Sequence, residues 1–507
     1  MSVKCLIESV GLSGEELRQY LLSEIDEFLA AADPAAMEEE FGDALFALAC
    51  MAWAHSGRHF RLGLDAAEAK LRGRLRNYGT ITRRPRKYVD GRIAEMEIGV
   101  VHFALGQFGG HWHQFDPIGN GTAAEVTLLT DAPFGPPDNL TNHCIVTFAD
   151  TKELIYDVLY SATTTARGNT IRCEIPSFMY DRAKKQLKFA QFGELLALQV
   201  LAAIDGVRLA PGAVAHFHSW EAGFLAESPE FWRRISTLKT IFSPYLTTGR
   251  LAAFVEERGG AGWTMTREEL SVAARFERLL GEACMRVVLE SSRDRDFFAR
   301  WVHCERIDLR SFACQRSASI VRTSIRDGRL AFVAGGRPVR EKGFVELCRQ
   351  FAGVREWAVG KGLEATLTIL CQERNRAKGA DYIAEMERAI AERALGNSVA
   401  IESKVSLDEL RRRIGEASAL IVPSLYDSYN LMPTYAIEAK RPAFVSCHAG
   451  IAENLRSRDF VFDPEADGDL VRAVRAWYEN DLTFDFESRF PSYLDLYLSR
   501  EVQPAWE

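Results

Sequence analysis

Three groups of side chains in this 507-residue chain have the types and spacing for phosphate and sugar chemistry. In the first, Glu24 and Glu27 stand three apart, Glu40 and Asp43 stand three apart, and twelve residues separate the pairs. On helices, each pair occupies one face. Packing Leu21, Ile25 and Phe28 against Phe41, Leu45 and Leu48 brings the four carboxylates together. Such a cluster requires a counter-charge, and hard oxygen ligands suit Mg²⁺, which bridges protein carboxylates and substrate phosphates. An ion held there polarises a phosphoanhydride and activates a water. The plainer alternative, for either pair taken alone, is a solvated helix surface.

The second group lies in LAFVAGGRPVREKGF, residues 330 to 344, where Gly335 and Gly336 follow an apolar strand and Arg337 and Lys342 flank the next loop. Two cations so placed can grip a diphosphate. Further on, ALIVPSLYDSYNLMPTYAIEAKRPAFVS (419 to 446) reads as buried strand, polar loop, short helix, turn and strand. Its loop offers Asp427 to donor hydroxyls. On composition alone, the two cations read equally as solvated loop residues. The third group is VVHFALGQFGG, which ends in Gly109 and Gly110 and is followed by His111, Trp112 and His113. Glycines there let backbone N–H groups approach phosphate or sugar. With no third ligand nearby, His111 and His113 suit surface or substrate contacts better than a metal.

These groups sit in two kinds of sequence. Residues 13 to 76 carry apolar positions at helical spacing, with a turn at Asp33-Pro34. The basic stretch TRRPRK at 82 to 87 reads as a linker. From about 93, short apolar strands alternate with amphipathic helices, with candidate strands at 98 to 105, 125 to 130, 143 to 148, 214 to 219, 286 to 291, 330 to 335, 365 to 370 and 419 to 424. That alternation predicts parallel, doubly wound sheets, and its length predicts two Rossmann-like lobes, 93 to 320 and 321 to 480. A helix within 481 to 507 either crosses back to the first lobe or stands alone on the surface.

Composition bounds the partners. A net charge of -8 and a pI near 5.8 exclude a nucleic-acid binder held by bulk electrostatics. Ten cysteines without a C-x-x-C pair suit a reducing, cytoplasmic setting rather than a disulfide framework. No leader and no membrane span are expected, because no apolar run approaches ~20 residues.

The acidic pattern E-x-x-E, then twelve residues, then E-x-x-D within EEEFGDALF resembles the metal motif of MazG-like all-α nucleotide pyrophosphohydrolases. KLRGRLRNYG (70 to 79) is similar to their K-L-x-x-R segment, which implies phosphate contacts by Lys70 and Arg74. The resemblance covers residues 13 to 79 and implies an all-α domain over 1 to 80 that uses Mg²⁺ and pairs into a homodimer or larger homo-oligomer. Family members carry a further helix ahead of the E-x-x-E helix, where this chain has only about a dozen residues.

The remainder resembles retaining glycosyltransferases of the two-lobed GT-B type, of the glycogen-synthase and group 1 kind. GRPVREKG resembles their G-R-L-x-x-x-K-G signature, and PSLYDSYNLMPTYAIEAKRPAFVSCHAG their P-S-x-x-E-x-F-G-x-x-P-x-E-A segment. VAHFHSWEAGFL (214 to 225) is similar to H-x-H-x-W-x-A-G, and ERIDLRSF (305 to 312) to N-G-I-D-x-x-x-F. The resemblance implies that Arg337 and Lys342 bind the donor diphosphate, and that His111, His218 and Tyr245 contact sugar or acceptor. Asp427 and Tyr435 occupy the places of the family's paired glutamates, with Glu438 one turn beyond. Tyr245 stands where the family often has histidine.

The combined expectation is a bifunctional enzyme that uses a nucleotide sugar and a nucleoside triphosphate with an undefined acceptor, and needs no metal for glycosyl transfer. Two alternatives stay open. In one, only the hydrolase turns over and the two-lobed part binds nucleotide as a regulatory module; in the other, the helical segment is solely a dimerisation element.

Overall fold

The computed structural model describes residues 86–105, 142–151, 158–165, 168–176, 180–181, 186–187, 189–259, 263–304, 306–310, 317–321, 328–372, 376–487 and 489–491, together with residues 19, 22, 23, 26 and 27. The chain divides into two compact units, Met1–Pro85 and Arg86–Glu507. In the first, the described residues are helical and exposed. Ser23 Oγ there donates to Glu27 Oε1 at 3.0 Å, one helical turn away.

The second unit is built on two sheets. Its strands, in chain order, are β1 (Arg86–Val89), β2 (Glu97–Phe103), β3 (Asn142–Thr151), β4 (Val158–Thr165), β5 (Gly168–Pro176), β6 (Tyr180–Asp181), β7 (Gln186–Leu187), β8 (Arg208–His218), β9 (Lys239–Ser243), β10 (Arg286–Leu289), β11 (Ile307–Leu309), β12 (Ser317–Ile320), β13 (Arg329–Gly336), β14 (Glu364–Gln372), β15 (Val399–Val405), β16 (Ala419–Val422), β17 (Ala443–Ser446), β18 (Val461–Phe462) and β19 (Phe484–Glu487).

The nine-stranded sheet runs β1-β4-β5-β3-β2-β8-β9-β10-β11, and the six-stranded sheet runs β15-β14-β13-β16-β17-β18. Every pairing in the second sheet is parallel. Its order reverses between β13 and β16, the place where a doubly wound sheet opens a crevice beyond its strand ends. In the first sheet the corresponding reversal falls between β2 and β8.

The strands read as they do because both faces are covered. β2, β16 and β17 are buried almost throughout, the continuous apolar pattern of a sheet flanked by helices. Helix Phe344–Gly360 packs on the second sheet through Val345, Leu347, Cys348, Phe351 and Val354. Helix Arg267–Ala283 begins with a full capping box between Thr266 and Glu269. In the segment resembling H-x-H-x-W-x-A-G, a Cβ on Gly223 would lie 2.3 Å from Phe276 Cβ. That glycine therefore serves helix packing.

The order departs from the sequence reading in three places. The basic stretch read as a linker, 82 to 87, runs into β1, which pairs with β4 and is followed by helix Gly91–Glu95. β4 and β5 form an antiparallel hairpin inside the otherwise parallel sheet. Residues after 480 begin with β19, which pairs antiparallel with β12; Ile320 and Phe484 are buried in the second lobe's core, so the start of the expected terminal helix is instead a strand. Residues 492 to 507 and the expected strand at 125 to 130 lie outside the described residues.

Candidate active site

The loop after β13 is shaped by its glycines. Gly343 has φ +67, and a Cβ there would lie 2.0 Å from the Pro423 carbonyl oxygen, so both conformation and space require glycine. This close approach brings the loop after β13 against the loop after β16. The Glu341 carbonyl cements it by accepting Leu425 N at 2.8 Å and Tyr426 N at 3.1 Å. As a result Lys342 Nζ forms an ion pair with Asp427, both side chains being largely buried. Asn430, in left-handed backbone at φ 78, donates from Nδ2 to Asp427 Oδ2 at 2.8 Å and to Ser424 Oγ at 3.1 Å. Its Oδ1 accepts Met432 N at 2.9 Å, at the start of helix Met432–Glu438.

Arg337 follows Gly336 directly and is half-buried. Among the described residues its side chain makes no hydrogen bond or ion pair, which leaves a guanidinium beside the Lys342–Asp427 pair in sequence and at the same strand end. Tyr435 is half-buried, with the Arg411 guanidinium 4.8 Å from its ring centroid. Glu438 is exposed at the end of its helix.

The first lobe presents a different surface at its own reversal point. His102 on β2 pairs in register with His216 on β8, and His218 with Ser243 on β9. His218 Nδ1 lies 2.5 Å from Tyr245 Oη, and His218 Nε2 lies 2.9 Å from His102 Nδ1. His216 Nε2 lies 2.8 Å from Ser243 Oγ. Burial, reinforced by neighbouring His216, holds His218 well below the usual imidazole range, so it is neutral. Tyr245 has φ 57, and its ring stacks on His218 with centroids 5.6 Å apart. Glu221, buried just beyond, accepts from Ser219 Oγ and is pushed up by desolvation.

Several polar residues that the sequence reading passed over join the lobes. Tyr426 Oη donates to Thr247 O at 2.8 Å, and Thr247 N donates to Ser428 Oγ at 3.1 Å. The buried Glu341 carboxylate accepts Thr264 N at 3.0 Å. Glu453 accepts Ser292 N at 3.0 Å and Ser292 Oγ at 2.6 Å. Arg258 pairs with Glu465 across the same boundary. No local motif announces such acceptors, since each partner lies far away in sequence. Behind this boundary, Glu277 caps helix Thr248–Arg258 by accepting from Thr248 N, Thr248 Oγ1 and Gly249 N, while burial pushes its carboxyl up to about 8.

Of the residues singled out from sequence, Arg337, Lys342, Asp427, Tyr435 and Glu438 thus belong to the second lobe's reversal point or the helix leading from it, and His218 and Tyr245 touch in the first lobe. Gly109, Gly110, His111, Glu24, Glu40, Asp43, Lys70 and Arg74 lie outside the described residues, whereas Glu27 is exposed on a helix.

The architecture is two α/β lobes, each built on a mainly parallel Rossmann-like sheet and joined through loops at the strand ends. Solved structures of the same fold include the sucrose-phosphate synthase of Thermosynechococcus elongatus, at 14% identity and a TM-score of 0.52, covering 76% of this chain and 90% of that one. A trehalose-6-phosphate structure from E. coli, bound with UDP-2-fluoro glucose, aligns at 11% identity and a TM-score of 0.53, over 80% of this chain and 96% of that one. The α,α-trehalose 6-phosphate synthase of Burkholderia multivorans aligns at 13% identity and a TM-score of 0.50, over 75% and 90%. No protein-family model matches the sequence, and no curated protein matches it. Among the described residues no helix is long and apolar enough to cross a membrane.

Proposed function

We propose that residues 86 to 507 transfer a glycosyl group, with retention, from a nucleoside diphosphate sugar to a phosphorylated sugar acceptor. The observation that carries this reading is the arrangement at the β13/β16 reversal: Arg337, without a side-chain partner among the described residues, and Lys342 held by Asp427, on two loops locked by Gly343. Arg337 engages the diphosphate through its planar fork and Lys342 as a point charge. Both neutralise the charge that develops on the leaving group, which is where the barrier is lowered. Asp427 accepts hydrogen bonds from donor hydroxyls, with Asn430 fixing its orientation. The likeness to synthases of sugar phosphates supports the acceptor class.

Tyr435 takes the ribose-holding place as a hydrogen-bonding hydroxyl in lieu of a carboxylate. Tyr245, held by neutral His218, presents its phenol at the first lobe's strand ends, where a bound sugar meets it. No protein nucleophile is required, because donor phosphate, cations and excluded water suffice for a retained centre.

The reading is tested with the full chain, UDP-glucose and glucose 6-phosphate, by following UDP release. Arg337→Ala is expected to lower kcat/KM about 10- to 100-fold, the worth of a charge-assisted hydrogen bond. Unchanged turnover in that variant contradicts the assignment.

The amino-terminal unit adds a second activity to the proposal, Mg²⁺-dependent hydrolysis of a nucleoside triphosphate by Glu24, Glu27, Glu40 and Asp43, with phosphate contacts from Lys70 and Arg74. Of these residues Glu27 alone is among the described ones, exposed on its helix, where a solvated surface would also leave it. Glu40→Gln is expected to abolish Mg²⁺-dependent pyrophosphate release and leave UDP release unchanged; equal pyrophosphate release refutes it. The same unit is proposed to pair copies of the chain, which sedimentation of residues 1 to 85 against the full chain tests.

A further inference from the structure

The first lobe gathers three imidazoles at the ends of two adjacent strands. His102, His216 and His218 are 0%, 0% and 2% exposed. Each offers a ring nitrogen within 4.8 Å of the others'. The ring centroids of His216 and His218 are 4.0 Å apart, and those of His102 and His218 are 5.1 Å apart. Packing three basic rings into a dry corner is unfavourable if any is charged, and burial keeps His218 neutral. Neutral imidazole is the ligating form.

The outer nitrogens are held from behind. Ser243 Oγ meets His216 Nε2 at 2.8 Å, and Tyr245 Oη meets His218 Nδ1 at 2.5 Å. Metal-binding histidines characteristically donate their second ring N–H to such a partner, which fixes the tautomer and aims the remaining lone pair. With Nδ1–H of His218 donated to the phenol, His218 Nε2 carries its lone pair toward His102 Nδ1, 2.9 Å away. A tetrahedral ion with bonds of about 2.0–2.1 Å keeps its nitrogens about 3.3 Å apart, so these two hydrogen-bonded nitrogens would separate by about 0.4 Å to admit it.

We infer that His102, His216 and His218 form a binding site for a divalent ion of the zinc class, with Ser243 and Tyr245 as its outer shell and one coordination position open. Three nitrogen donors without sulfur or carboxylate suit Zn²⁺, Co²⁺ or Ni²⁺ over Mg²⁺ or Ca²⁺. Binding needs no net proton transfer: His102 takes the tautomer protonated on Nε2, and the hydrogen bond between His102 and His218 gives way to two metal–nitrogen bonds. The ion would tie β2 to β8 where the first sheet reverses and, through His218, fix the Tyr245 phenol. The inference does not depend on the identity of the donor.

Chelator-stripped full-length protein titrated with Co²⁺ provides the test. The expected result is one equivalent giving the intense visible bands of four-coordinate cobalt, without sulfur-to-cobalt charge transfer. Those bands should vanish in His102→Gln and His216→Gln variants shown by circular dichroism to be folded. They should persist in Cys447→Ser, which removes the sulfur of the other ligand group among the described residues, Cys447, His448 and Asp463. Ser243→Ala, which leaves all three ligands in place, should weaken Co²⁺ binding by about 10-fold. Weak octahedral-type bands alone, no bands, loss of the bands in Cys447→Ser, or unaltered affinity in Ser243→Ala would each overturn the inference.

Discussion

The two reversal points of residues 86 to 507 are built from opposite materials. At β13 and β16, charged side chains stand on loops: Arg337 without a partner among the described residues, Lys342 against Asp427, and Asn430 bracing the carboxylate. At β2 and β8, imidazoles on the strands bond one another and the hydroxyls of Ser243, at the end of β9, and Tyr245, just beyond it, with His218 held neutral by burial. The contrast is chemical. A diphosphate must be met by full positive charge that solvent can still reach, whereas the first-lobe cluster offers nitrogen and hydroxyl groups already bonded to one another. Removing a second-lobe charge should therefore be felt mainly in donor binding, and removing a first-lobe polar group in stability and positioning, while a backbone change that unlocks the second-lobe loops costs stability as well.

The largest effect is expected from Gly343→Ala. Its methyl group would meet the Pro423 carbonyl, at a backbone angle that L residues rarely adopt, and a loss of about 3 kcal/mol or more should follow. Thermal unfolding reads this directly, and a variant as stable as the parent breaks the claim that the loops after β13 and β16 are locked together. Lys342→Met comes next, keeping the stem but removing the charge. It should leave Asp427 without its cation and lower kcat/KM for donor about 10- to 100-fold, partly rescued by the Lys342→Arg variant. Equal losses in Lys342→Met and Lys342→Arg point to packing instead of charge.

On the first-lobe side, Tyr245→Phe removes the hydroxyl that meets His218 Nδ1 and should cost about 1–3 kcal/mol, by stranding a buried ring nitrogen. Stability unchanged in urea unfolding would show that the phenol faces ligand alone. Smallest is a pH effect. Glu277 has its folded pKa raised to about 8 from an ordinary value of 4.5, so it favours the folded state at low pH and loses that contribution as pH rises toward 8. His218 has the opposite sign: held neutral, it favours the folded state above its ordinary 6.5 and loses that contribution as pH falls. The Glu277→Gln variant should remove the loss of stability that Glu277 causes between its ordinary 4.5 and about 8 and leave the profile below 4.5 unchanged.

The same contrast sets how much was legible in the sequence. Arg337, Lys342 and Asp427 stand out through the resemblance of GRPVREKG and PSLYDSYNLMP to known signatures, since on composition alone the two cations read as solvated loop residues. Strands β13, β14 and β16 read correctly because two-sided burial leaves continuous apolar runs. His102 was hidden inside such a run, VVHFAL, and only the register of β2 on β8 reveals its partners. Glu341 and Glu453 were missed because their acceptors serve backbone groups 77 and 161 residues away. β4 and β5 were missed because the threonine-rich stretch YSATTT lacks the apolar run that the reading relied on; the hairpin closes at Thr165 and Gly168. The strand after 480 was read as helix for a related reason, since Phe484 and Phe486 alternate toward one face over only four residues.

The central claim is that Arg337 and Lys342 grip the diphosphate of a sugar donor. Calorimetric titration of the full chain with UDP, GDP and ADP tests it most directly. The account predicts that at least one of the three binds, and that Arg337→Ala and Lys342→Met each weaken its Kd by about 10-fold or more. Binding of none, or equal affinity in the parent and both variants, contradicts it.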